Sequence, residues 1–101
     1  MREDAFRTWL YQTDLGSRPI SDAISRCKRV CNALDIDLDT EYQKDGGVSL
    51  LNLLQYTIDD VKSEKPYPQG LHFKAGSDIK NGMASLRNAV KRYFDFCKST
   101  K

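Results

Sequence analysis

"IKNGMASLRNAVKRYFDFCK", residues 79–98, decides the fold. At about 100° per residue, Ile79, Met83, Leu86, Val90, Tyr93, Phe94 and Cys97 fall on one band of a helix, and Ala89 and Phe96 widen it. A surface helix buries a narrower stripe than this. Such a broad apolar face belongs to a helix wedged between others. The spacing therefore predicts a central helix over about 79–98, capped by Ser77 or Asp78.

Working outward, three other segments share the helical period. The first covers about 2–13, with Phe6, Trp9, Leu10 and Thr13 on one face. "TDLGSRP" ends it, with Gly16 as the expected stop and Pro19 in the first turn of the next helix. The second covers about 19–34, capped by Ser17 or Arg18. Ile20, Ala23, Ile24, Cys27, Val30, Cys31 and Leu34 form its apolar arc, and Asp22 and Arg26 make an i, i+4 pair at its edge. The third covers about 49–62, with Leu50, Leu51, Leu54, Ile58 and Val61 as its core stripe. Between the second and third, "DIDLDTEYQKDGG" reads as an acidic connection. Its alternating aspartates suit a calcium loop only superficially. The sixth position requires Gly and holds Thr40, and the twelfth requires Glu and holds Gly46. Before the last helix, "SEKPYPQGLHFKAGSD" is too rich in Pro and Gly for a long helix, and Tyr67, Leu71 and Phe73 are expected to pin it to the core. No strand pattern of useful length appears. The expected fold is all-α, a single domain over residues 1–101 made of four or five short helices, with one long loop before the last.

Composition agrees. The chain has 101 residues, 40% hydrophobic and 30% charged, enough for one modest core and too apolar for general disorder. No apolar run approaches the roughly 18 residues of a membrane helix, and "MREDAFRTWLYQ" lacks the long apolar stretch of a signal peptide. A cytoplasmic, non-membrane protein is expected. Cys27, Cys31 and Cys97 fall on apolar helical positions and read as buried, unbridged thiols. Only His72 is available to join them as a metal ligand, so no metal site is expected.

Net charge is only +2, but it is unevenly spread. Residues 15–34 carry four Lys or Arg against Asp22, and residues 79–101 carry six against Asp95. Residues 35–64 carry eight acids against Lys44 and Lys62. If the two basic segments meet in space, the molecule has a positive face and a negative one.

The catalytic motifs are missing: no Gly-x-Ser-x-Gly, phosphate loop, HExxH or Cys-x-x-Cys is present. A non-enzyme without catalytic residues or cofactor is expected. The basic side chains are more informative. Lys80, Arg87, Lys91 and Lys98 lie within about 40° of one another along the last helix, a line able to follow phosphates. The second helix offers Ser21, Ser25, Lys28, Arg29 and Asn32, residue types that contact phosphates and base edges.

The order "FRTWLYQ", "RPISDAISRCKRVCNAL", acidic loop, helix, "SLRNAVKRYFDF" resembles the SAM-like core-binding domain at the N-terminus of tyrosine recombinases and phage integrases, and related helical domains of bacterial restriction-type nucleases. Phe6, Trp9 and Leu10 match the opening aromatic motif. Pro19, Ile20 and Ile24 match the second helix. Leu86, Val90, Lys91, Tyr93 and Phe96 match the last. The resemblance covers nearly the whole chain, mostly through core positions. It implies a bacterial or mobile-element setting and a duplex-DNA grip by the second and last helices. Carried over, Ser21, Ser25, Lys28 and Arg29, then Lys80, Arg87 and Lys91, face DNA. The recombinase Arg/His/Tyr chemistry is absent from these residues, and Tyr93 belongs to the core pattern. A nuclease or recombinase partner is expected to supply any chemistry, and a homodimer is compatible with this reading. The rival expectation is a protein-interaction module, with residues 35–45 and 66–76 as the contacts. Either way, the basic edge of the last helix matters for DNA only if the polar face of the second helix stands beside it.

Overall fold

The computed structural model describes residues 1–13, 15–67, 70, 71, 73 and 78–99. They form six helices, with no strand among them: α1 (Glu3–Tyr11), α2 (Ser17–Leu34), α3 (Leu38–Asp45), α4 (Val48–Leu53), α5 (Ile58–Lys62) and α6 (Ile79–Ser99). The all-α expectation holds. So does the central place of the last helix, because α6 packs against every one of the other five. Met83, Leu86, Ala89, Val90, Tyr93, Phe94, Phe96 and Cys97 are all buried on it. At about 1.5–3 kcal/mol for each large apolar side chain, this helix supplies much of the core.

Helix α2 lies along α6 and buries Ile20, Ala23, Ile24, Cys27 and Val30. The Cys27 thiol donates to the Ala89 carbonyl at 3.3 Å, which fixes the facing sides of the two helices. Helix α1 closes the other end with Phe6 and Leu10, both fully buried. Phe6 meets the Tyr93 ring edge-on at 5.0 Å and the Phe96 ring at 5.6 Å. Trp9 stays half-buried beside Phe96.

Three details depart from the sequence reading. Helix α1 stops at Tyr11, and Gly16 is not its stop. Gly16 instead precedes α2 in extended backbone, and its carbonyl accepts from Ile20 N–H at 3.3 Å, so Ser17 lies inside the helix and caps nothing. The acidic connection contains a helix. Asp37 caps α3 by accepting from the Thr40 N–H at 3.2 Å, and Leu38 behind it is fully buried. Acids in a first turn suit the positive end of the helix dipole, so the charge that made this stretch look like a loop favours the helix.

The expected helix over 49–62 is two helices. The break lies at Leu54–Thr57, and Thr57 begins α5 with a capping box. Its hydroxyl accepts from Asp60 N–H at 3.2 Å while the Asp60 carboxylate accepts from Thr57 N–H at 2.8 Å. The turn re-aims the stripe. Leu50 and Leu54 are buried, but Ile58 and Val61, assigned to the core from spacing, are exposed with Val48 and Leu53. Two glycines seal α3 to α4. Gly47 has φ +84°, and a Cβ there would collide with the Phe94 ring.

The loop ahead of α6 docks as expected where it is described. Leu71 is buried, and Tyr67 meets Phe73 edge-on at 5.0 Å. Asp78 accepts from the Asn81 N–H at 3.1 Å at the start of α6. His72 and Ser77 lie outside the described residues.

Candidate nucleic-acid interface

The residues expected to grip DNA do not form one surface. Lys28 points toward α1 and pairs with Glu3, and this lysine holds the Glu3 carboxyl below its ordinary range. Ser21 and Ser25 are exposed on the same side of α2. Arg29 turns to another side and lays its guanidinium over the Phe73 ring at 5.0 Å.

On α6, Arg87 is half-buried and its Nε donates to the Leu51 carbonyl at 3.1 Å. It is a tie between α4 and α6. Lys80 is half-buried, while Lys91 and Lys98 are exposed. Arg87 marks the α4 flank of α6 and Ala89 the α2 flank, about 160° apart around the axis. The basic line and the polar face of α2 are therefore not neighbours.

Other residues occupy the seam where α2 and α6 meet. A groove of about 260 Å³ is lined by Pro19, Asp22 and Arg26 from α2 and by Ser85, Asn88 and Arg92 from α6. A second depression of about 340 Å³ adjoins it, lined by Trp9 and Thr13 with Asn88, Lys91, Arg92 and Asp95. Asn88 and Arg92 belong to both. Arg26, Lys91 and Arg92 make no ion pair with described residues, and the Asp22–Arg26 pair expected from spacing does not close. The signal for this strip was present in the sequence. Ser85, Asn88 and Arg92 sit at i, i+3, i+7, along the edge of the apolar band that Ala89 and Phe96 mark.

The acidic segment is largely spent internally. Asp39 accepts from the Tyr93 hydroxyl at 2.7 Å and from Arg2 Nη2 at 3.2 Å. Asp37 accepts from the Met1 ammonium at 2.6 Å, which holds the Asp37 carboxyl below its ordinary value and raises the ammonium. Asp45 accepts from Ser49 N–H at 3.1 Å. Burial pushes the Tyr93 hydroxyl well up and the Cys27 thiol up to about 12. Cys27 and Cys97 are buried and Cys31 half-buried, with no disulfide among them. Among the described residues no three metal-ligating side chains converge, and no helix is long and apolar enough to cross a membrane.

The fold and site define an all-α domain built around one central helix, with a polar, arginine-bearing seam on its outer side. Comparison with family models, curated proteins and solved structures returned no match.

Proposed function

We propose that this domain is a non-catalytic DNA-binding module that grips DNA by its phosphates, using the outer face where α1, α2 and α6 meet. The observation that carries the reading is the convergence of Arg26, Arg92 and Lys91, cations without ion-pair partners among the described residues, on two joined depressions. Each phosphate contact releases counterions, so affinity falls steeply as salt rises. The resemblance to core-binding domains supports the same choice of helices, and with it a cytoplasmic, mobile-element setting in which a nuclease or recombinase supplies the chemistry. A mobility shift with random duplex at about 50 and about 200 mM salt tests the reading. A shift at the lower salt that collapses at the higher is the expected result, and no shift at either removes it.

A second reading, docking of a protein partner, is favoured by a different observation. Val48, Leu53, Ile58 and Val61 are exposed on α4 and α5, at 55%, 52%, 57% and 46%. Val61 lines a further groove with Tyr56, Pro66, Tyr67 and Ile79. Exposed apolar side chains beside a groove mark interaction sites. This location differs from the expected acidic loop, whose carboxylates are engaged within the fold. Cross-links from a bound partner that map to α4–α5, with no DNA shift at low salt, would favour it over the first reading.

A further inference from the structure

The two outer depressions share Asn88 and Arg92 and so lie side by side, together marking a track across α6. From Ser85 to Asp95 the track follows ten residues of helix, about 15 Å. Arg26 stands at one end and Arg92 in the middle. Trp9 forms the wall at the other end, with Lys91 beside it. Trp9 is held from behind by Phe6, whose ring stacks on it at 6.3 Å, and by Phe96 at 5.9 Å. The indole is thus a supported aromatic wall that stays half-open. Core burial alone would have enclosed it as it encloses Phe6.

Two carboxylates also line the track, Asp22 near Arg26 and Asp95 near Lys91. They moderate the positive charge, so electrostatics alone makes a weak grip here. What the track adds is an aromatic face beside Arg92 and Lys91, with Arg26 farther along, the combination that suits an unpaired strand. Bases of any identity stack on aromatic side chains while cations follow the backbone. A closed duplex offers the phosphates but keeps its base faces stacked inside.

We propose that this track binds an unpaired nucleic-acid strand, with Arg26 and Arg92 holding the phosphodiester and Trp9 stacking the adjoining base. The proposal rests on the DNA-binding reading and specifies its ligand. Duplex meets the same cations without the stacking contact, and so binds more weakly.

Trp9 is the sole tryptophan in the chain, which gives the test its own reporter. A short oligothymidylate, end-labelled for anisotropy, is titrated at about 50 mM salt while indole fluorescence is followed. Saturable quenching is expected in step with the anisotropy rise. Trp9→Leu should weaken the oligothymidylate by about 5-fold or more and leave duplex affinity where it was. Arg26→Gln with Arg92→Gln should lower the salt slope for the single strand by about 1.4. An oligomer of abasic sites should bind without quenching.

Binding of the oligothymidylate with unchanged indole fluorescence overturns the proposal, as does equal loss of both ligands in Trp9→Leu. If Trp9→Leu does not fold, the unmodified chain and the arginine variant still decide. A salt slope unaltered in that variant rejects the track. Duplex binding as tight as single-strand binding removes the stacking role but leaves the DNA reading standing. Absence of binding to either ligand removes both.

Discussion

The Tyr93 hydroxyl donates to the Asp39 carboxylate at 2.7 Å and accepts the Arg2 backbone N–H at 2.9 Å, so a residue deep in α6 joins the start of the chain to the first turn of α3. The aromatic ring fills the core and the hydroxyl organises a polar corner. Arg2 completes it, with its guanidinium 4.9 Å from the Phe96 ring centre. Tyr93→Phe keeps the packing and strands the Arg2 N–H and one Asp39 lone pair. A loss of about 1–2 kcal/mol is expected in urea unfolding, with DNA affinity unchanged. An unaltered unfolding midpoint would show that water replaces the hydroxyl without cost.

Gly47 makes a separate prediction about the α3–α4 junction. Its φ of +84° disfavours any L side chain, and the Phe94 ring occupies the space a Cβ requires. Gly47→Ala should destabilise the fold by at least about 2 kcal/mol. Gly46 also has positive φ but has nothing within 4 Å of a Cβ. Gly46→Ala should therefore cost less, and thermal melting of the two variants side by side checks the order.

The arginines of α6 divide by role. Arg87→Ala removes the donor to the Leu51 carbonyl and should lower stability by about 1 kcal/mol without altering the salt slope for DNA. Arg26→Ala with Arg92→Ala should leave the melting temperature nearly unchanged and reduce the duplex salt slope by about 1.8. The reverse pattern would return the grip to the line of Lys80, Arg87, Lys91 and Lys98.

Stability should fall at both ends of the pH range, for opposite reasons. The Asp37, Asp45 and Asp60 carboxyls lie below their ordinary value of 3.8 because hydrogen bonds favour the charged form. Their contribution is present above that value and is lost as pH falls through the lowered ones. Cys27 is shifted the other way by burial, from 9.0 to about 12. The unfolded chain releases this proton near 9.0 and the folded chain holds it, so stability is present below 9.0 and drains away as pH rises toward about 12. Tyr93 adds to the same alkaline loss, being raised above 10.0. Urea unfolding across pH should show a plateau between, and Cys27→Ala should flatten the alkaline arm. An unchanged arm in that variant would assign it to the other raised groups, Tyr93, Cys31, Cys97 and the Met1 ammonium.

Much of the fold was legible because helical periodicity is local. The bands of α2 and α6 follow from residue spacing, and the breadth of the α6 band required neighbours on several sides. The α4–α5 break was also written locally, in the Thr57–Asp60 capping box, but a continuous apolar stripe masked it. Helix α3 was missed because its aspartates read as loop-forming, whereas they cap the helix and bind Arg2, Tyr93 and the chain start.

By itself, then, the sequence determined that this chain folds as helices around residues 79–98, and that ten of its sixteen basic residues lie in two separate segments. Which of those residues stand together was decided only by tertiary structure. The side of α6 on which α2 packs cannot be read from either helix alone, because it depends on how their ridges and those of α1, α3 and α4 share one central surface. That choice engaged Arg87 with α4, set Lys28 on Glu3, and left Arg26 and Arg92 facing a common groove beside Trp9.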